Sequence, residues 1–219
     1  MHATVSSAAV DVCPSPVVMP GVRRPLQRML HAWKLEAWVK IWCKRGHVLP
    51  VEVAAIGGRL STAQAMKDLL SMERASLVRR HAGFLGGGES FSLTPRGRRF
   101  LDLLKSIQRE PAADDGLTMS GCLLRLLIHR GALRLAADLE NLVVRLQARR
   151  PLEGYADLGP EGVRRCLSLF IRCHMIRRAP RRNIQRCVYG STFFGLRVQT
   201  LAVAILELDE ETADREETA

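Results

Sequence analysis

Arginine is the residue type best placed to do chemistry in this chain, and its distribution says with what kind of partner. Of the 33 basic residues among 219, 28 are arginine, and the formal net charge is +11. The planar guanidinium fork suits phosphate oxygens and base edges better than a compact ammonium does. Between Gly162 and Leu206 lie nine arginines and no carboxylate. Seven of them, Arg164, Arg165, Arg177, Arg178, Arg181, Arg182 and Arg186, are candidates for contact with an anionic polymer. A smaller basic set, Arg79, Arg80, Arg96, Arg98 and Arg99, lies in the first half. It follows a stretch in which Thr62, Gln64 and Lys67 carry donors and acceptors suited to base edges.

Other chemistries have little support. The six cysteines lack close metal-type spacing and include no CxxC pair. Cys166, Cys173, His174 and Cys187 could be drawn as a zinc set, but Cys166 and Cys173 are seven apart on one helical face, where cysteine acts as a small buried hydrophobe. Gly86–Gly88 is not followed by the Lys-Ser/Thr of a phosphate loop, and no nucleophile–His pairing with family context occurs. The expectation is therefore a binding protein, not an enzyme, with no catalytic residues, cofactor or metal. No run of 18 apolar residues and no continuous apolar segment near the N-terminus is present, so a cytoplasmic, nucleoid-associated protein with reduced thiols and no membrane partner is expected.

The elements that must position these residues show up as a repeat. Sliding the chain by 98 positions aligns STAQAMKDLLSMERASLVRR with GPEGVRRCLSLFIRCHMIRR without a gap. Ala65 falls on Val163, Leu69 on Leu167, Met72 on Phe170 and Leu77 on Met175, a helical face that ends in a strand. Downstream, Phe91 falls on Tyr189, Thr94 on Thr192 and Gly97 on Gly195. The pattern divides the chain into an irregular arm (1–22), a first unit (23–110), a helical linker with a second unit (111–206) and an acidic tail (207–219).

Within the first unit the spacing predicts an amphipathic helix over 26–45 carrying Trp33, Trp38 and Trp42, ended by Gly46, and a short helix from Pro50. Trp38 and Trp42 share a face, and burial in the domain or against a dimer partner is expected of them. Ser61 and Gln64 read as a capping box that starts a helix running to about Arg74. Strands over 76–80 and 90–94 pair across a glycine-rich turn, and Pro95 opens a closing helix. The fold class is mainly α with small β-hairpins.

The stretch STAQAMKDLLSMERASLVRRHAGFLGGGESFSLTPRGRRFLDLL resembles the recognition helix, wing hairpin and following helix of winged-helix DNA-binding proteins such as MarR-like and PadR-like regulators. The resemblance covers 47–107 well, and a fainter copy spans about 131–206. It implies two winged-helix units in tandem, with Ser76 where the family commonly has a strand-entry glycine, and a second helix starting at Gly159-Pro160 without a strong side-chain cap.

On that resemblance Thr62, Gln64 and Lys67, together with Asp68, face outward from the recognition helix. Arg79 and Arg80 line the wing strand, and Arg96, Arg98 and Arg99 approach phosphate. It implies a sequence-specific double-stranded DNA-binding protein, a prokaryotic-type transcriptional regulator, a mobile element being one setting for it. Two alternatives share the architecture: a plasmid replication initiator, and a tandem winged-helix subunit of a chromosome-organising or defence complex that binds a protein partner. The bland reading of an Arg-Arg strand is a solvated edge, and that of the acidic tail is a solubilising end.

Overall fold

The computed structural model describes residues 21–44, 46–57, 60–83, 88–148, 150, 155, 158–180 and 187–210. The first half runs α1 (Arg23–Met29), α2 (Ala32–Lys44), β1 (His47–Val48), α3 (Pro50–Gly57), α4 (Thr62–Arg74), β2 (Val78–His81), β3 (Ser90–Leu93) and α5 (Pro95–Arg109). The second runs α6 (Met119–Ile128), α7 (Ala132–Ala137), α8 (Leu139–Ala148), α9 (Gly159–Arg172), β4 (Ile176–Pro180), β5 (Cys187–Ser191) and α10 (Phe193–Glu210). The protein is thus mainly helical with two small antiparallel sheets.

The long helix expected over 26–45 is two helices, broken at Leu30-His31. No glycine or proline marks the break; packing makes it. Leu26, Met29 and Leu30 are buried on α1, which lies against α4 and α6, while Trp38, Ile41 and Trp42 are buried on α2 against α3 and α5. One straight helix could not present both sets to different neighbours. Trp38 and Trp42 stack with ring centroids 6.4 Å apart, so their role is in the core.

The two-residue strand β1 was not legible in the sequence. It pairs antiparallel with β3, His47 opposite Ser92 and Val48 opposite Phe91, giving the sheet order β1-β3-β2. The β2–β3 ladder sets Val78 opposite Leu93 and Arg80 opposite Phe91. Alternation then buries Val78 and Phe91 and turns Arg79 out to solvent.

The repeat is most exact at the corner between the fourth helix of each half, its hairpin and the closing helix. α4 ends in a Schellman turn: Leu77 N–H donates to Met72 O at 2.9 Å and Ser76 N–H to Glu73 O at 2.8 Å. α9 ends the same way, Met175 to Phe170 at 2.9 Å and His174 to Ile171 at 3.0 Å. The left-handed residue is Ser76 (φ 55°) in one and His174 (φ 54°) in the other, where glycine is usual. This accounts for β2 starting at Val78 and not at Ser76.

Thr94 then ties the corner. Its hydroxyl donates towards Ser76 O (2.7 Å) and Leu77 O (3.1 Å) and accepts from Gly97 N–H at 3.0 Å, capping α5. Thr192 repeats the set with His174 O (2.5 Å), Met175 O (3.2 Å) and Gly195 N–H (2.9 Å). Gly97 and Gly195 are required by close approach: a Cβ would lie 1.8 Å from Leu77 O and 2.1 Å from Met175 O.

The halves share one continuous core, and α5 packs antiparallel on α10. The start of α5 meets the end of α10 through Arg96 and Leu208 O, and Glu110, just past the end of α5, meets Arg197 near the start of α10. The segment expected to be an acidic tail from residue 207 therefore starts as helix. Residues 207–210 belong to α10, Leu208 is buried, and Asp209 Oδ1 accepts from Val22 N–H at 2.7 Å while its other oxygen pairs with Arg23. The remaining residues expected in the tail, 211–219, and the arm up to residue 20 lie outside the described residues.

Gly97→Ala and Gly195→Ala are each expected to destabilise by about 3 kcal/mol or more, because backbone carbonyls cannot yield as a side chain would. Ser76→Gly should stabilise by about 1 kcal/mol by relieving the left-handed conformation. Urea unfolding of the full chain measures both; a neutral Gly97→Ala would show that the corner is not rigid.

Candidate nucleic-acid interface

α4 starts where Ser61 Oγ accepts from Gln64 N–H at 3.1 Å. The reciprocal half of the expected capping box does not form. Gln64 Nε2 reaches forward to Asp68 Oδ1 at 3.0 Å, because a buried carboxylate is a stronger acceptor than the Ser61 amide is a donor in water. Ala65, Leu69 and Met72 face the core, and Thr62 and Lys67 are exposed with Gln64 partly so.

Asp68 is not on the outer face. It is 0% exposed, and Arg28 Nη1 and Lys34 Nζ approach its oxygens at 3.4 and 3.8 Å. Arg28 also donates to Lys67 O at 3.3 Å, so α1 and α2 hold α4 through charged bonds as well as apolar contact. The sequence reading missed this cluster. The signal available was a carboxylate four residues after Gln64, one helical turn on the same face. Its consequence is that Gln64 is oriented: the amide nitrogen faces Asp68 and the carbonyl oxygen is left for an external donor.

Arg96 must also be reassigned. It is 4% exposed, and Nη1 donates to Ala75 O at 2.6 Å while Nη2 donates to Leu208 O. With both amino groups aimed at carbonyls inside the protein it cannot reach phosphate. Near the start of a closing helix packed on α10, a long cation satisfies the free carbonyls at the ends of two helices.

The remaining first-half arginines stay at the surface. Arg79 and Arg80 are exposed on β2, with Arg80 paired to Glu89 across the hairpin, and Arg98 and Arg99 are exposed on the first turns of α5. In the hairpin, His81 hydrogen-bonds Ser92 Oγ at 2.7 Å and meets His47 edge-on at 4.9 Å between ring centres. The turn residues 84–87 lie outside the described residues.

In the second half α9 starts at Gly159, with Leu158 at the cap position making no side-chain cap and Pro160 in the first turn. Arg164 and Arg165 are exposed but share Glu161, at 3.8 and 3.2 Å, which reduces the positive charge they present. Arg177 and Arg178 are exposed on β4. Arg181, Arg182 and Arg186 lie outside the described residues. An open cleft of about 220 Å³ at the start of α9 is lined by His129, Arg130, Leu158, Gly162, Arg165 and Cys166. It adds His129 and Arg130 to this basic face, which no helical periodicity could have joined to α9. His174 Nε2 meets Asp115 at 2.9 Å, and the Leu117 amide, with His174 as a further cause, holds the Asp115 carboxyl below its usual range. Among the described residues no group of three or more His, Cys, Asp or Glu is placed to hold a metal, and no helix is long and apolar enough to cross a membrane.

Asp68→Ala is expected to cost about 3 kcal/mol, since it leaves Lys34 and Arg28 without a counter-charge beneath α4 and frees the Gln64 amide. Lys67→Ala, one position away but exposed, should stay within about 0.5 kcal/mol. Urea titration of the two variants separates the roles; equal effects would contradict the placement of Asp68.

No family model, curated protein or solved structure matches the chain.

Proposed function

We propose that this protein is a sequence-specific double-stranded DNA-binding protein of the prokaryotic type, a transcriptional regulator acting in the cytoplasm at the nucleoid. On this reading each half is a winged-helix unit and neither carries out catalysis. The carrying observation is that Thr62 and Lys67 are exposed and Gln64 partly exposed along α4, beside exposed Arg79 and Arg80 on β2. From α2 onward the first half's element order, helix–strand–helix–helix–hairpin–helix with sheet order β1-β3-β2, supports the same reading, since it places α4 and the hairpin side by side.

The chemistry divides in two. α4 is sized to enter a major groove, where the Gln64 oxygen accepts from adenine N6 or cytosine N4 and Lys67 reaches guanine or phosphate. Arg79, Arg80, Arg98 and Arg99 supply positioning contacts to the backbone, which carry affinity and no base information. The second half adds Arg177 and Arg178 to that electrostatic share.

A partner-binding role, as in a subunit of a chromosome-organising complex, is favoured by one feature of the second half. Phe193 is 72% exposed at the start of α10, with Arg197 5.3 Å over its ring. An aromatic ring left in water next to a cation is common at protein interfaces.

Selection of bound duplexes from a random pool tests the proposal: an enriched motif is expected, and no enrichment would favour the partner-binding role. On the enriched site Gln64→Ala with Lys67→Ala should lose about 1–3 kcal/mol per base contact and much less on random duplex. Arg79→Ala with Arg98→Ala should instead weaken all duplexes alike and reduce the slope of log K against log salt by about one unit per lost phosphate contact. An unchanged slope would remove these arginines from the interface.

A further inference from the structure

Two histidines that the proposed contacts do not use stand on the outward face of the three-stranded sheet. Directly paired residues in a sheet share a face. His47 on β1 and Arg79 on β2 both stand opposite Ser92 of β3, and His81 stands opposite Ser90. These five residues therefore line one face, while Val48, Val78 and Phe91 are buried on the other. The two rings meet edge-on with centres 4.9 Å apart, and His81 Nε2 lies 2.7 Å from Ser92 Oγ. His47 and Arg79 are exposed, and His81, Ser90 and Ser92 are partly so.

The surroundings favour an anion. None of the sheet's strand residues is acidic. The carboxylates beside the strands in the chain are engaged, Glu52 accepting from Leu49 N–H at 2.9 Å and Glu89 pairing with Arg80. The adjoining helices bring Lys44 at the end of α2, Glu73 and Arg74 at the end of α4, and Arg98 and Arg99 on the first turns of α5. Cations thus outnumber carboxylates around the two rings. In the second hairpin Arg177 stands opposite Gly190 and Ala179 opposite Val188, so one repeat later the arginine recurs while the histidine and both serines do not.

Imidazole is the side chain that ordinarily gains a proton between about pH 5 and 8. Two imidazolium charges this close, beside Arg79, repel each other, and an anion set on the face offsets that repulsion. The Ser92 hydroxyl accepts as well as donates, so its bond to His81 holds in either charge state, and a charged His81 keeps its other ring nitrogen as a donor.

We propose that the His47–His81 face is a proton-linked phosphate site, where a phosphate of duplex DNA docks against Arg79 and the two rings and binding draws protons onto them from the buffer. The inference rests on the proposed DNA-binding function and adds how pH sets its strength. Because linkage is reciprocal, protons tighten duplex binding; the gain is present at low pH and is lost as pH rises through the imidazole range.

The test is calorimetric titration of the full chain with a short random-sequence duplex at constant salt. It is run at pH 6 and pH 8, in two buffers of different ionisation enthalpy, with EDTA present so that no metal ion held by the rings contributes. At pH 6 binding should take up a measurable fraction of a proton per complex, at pH 8 almost none, and affinity should fall about fivefold or more between the two. His47→Gln with His81→Gln should abolish the uptake and flatten the pH dependence, whereas His129→Gln should leave both unchanged. His47→Gln alone, an exposed change, should halve the uptake and keeps the test readable if the double variant folds poorly. Duplex binding without proton uptake, or uptake that persists in the double variant or follows His129, overturns this inference and leaves the DNA-binding reading standing. Absence of duplex binding at either pH overturns both.

Discussion

The architecture depends on one hydroxyl in each half. Thr94 and Thr192 each meet two consecutive carbonyls at the exit of a helix and one amide at the entry of another. One side chain thus joins the carbonyls at a helix exit to the first amides of the next helix, beside the backbone bond from the Thr94 or Thr192 amide to the Leu77 or Met175 carbonyl, and the angle between the strand and the closing helix is set by their geometry. Glycine three residues later lets the helix backbone approach the Leu77 or Met175 carbonyl. Because the hairpin leaves from this corner and the closing helix runs back into the core, the direction of each hairpin follows from the same bonds.

The second constraint is the antiparallel pairing of α5 with α10, which makes the two halves one body with a shared core. It explains why the terminal turn of α10 is folded and why Asp209 sits at the start of α1. It also explains the fate of Arg96, whose guanidinium bridges carbonyls from Ala75 and Leu208 and so links the first corner to the last helix. The same residue type thus serves two functions: where a carbonyl-rich helix end is buried nearby arginine becomes internal mortar, and elsewhere it stays at the surface. Asp68 is the acidic counterpart, a buried carboxylate that fixes α4 on α1 and α2 and orients Gln64.

The halves differ where chemistry would be expected to differ. α4 has a side-chain cap and a mixed polar face, while α9 lacks a cap and carries two arginines that share Glu161. The corner bonds constrain the fold in both halves, while surface positions are free to differ.

Local chemistry was legible in the sequence. The helix over 62–74, the paired strands, the Pro95 helix start, the 98-residue offset and the burial of Trp38 and Trp42 all follow from interactions among residues near in the chain or from periodicity. The strand β1, the break at Leu30-His31 and the burial of Asp68 and Arg96 were not legible, and for one reason. Each depends on a partner from a distant segment, β3, α6, α1 or α10, and a side chain whose spacing places it on the outer face of its own helix becomes interior only when another helix covers it. The chain's own order of residues determined which surfaces exist; the packing of α1 and α10 over them decided which stay open to a ligand.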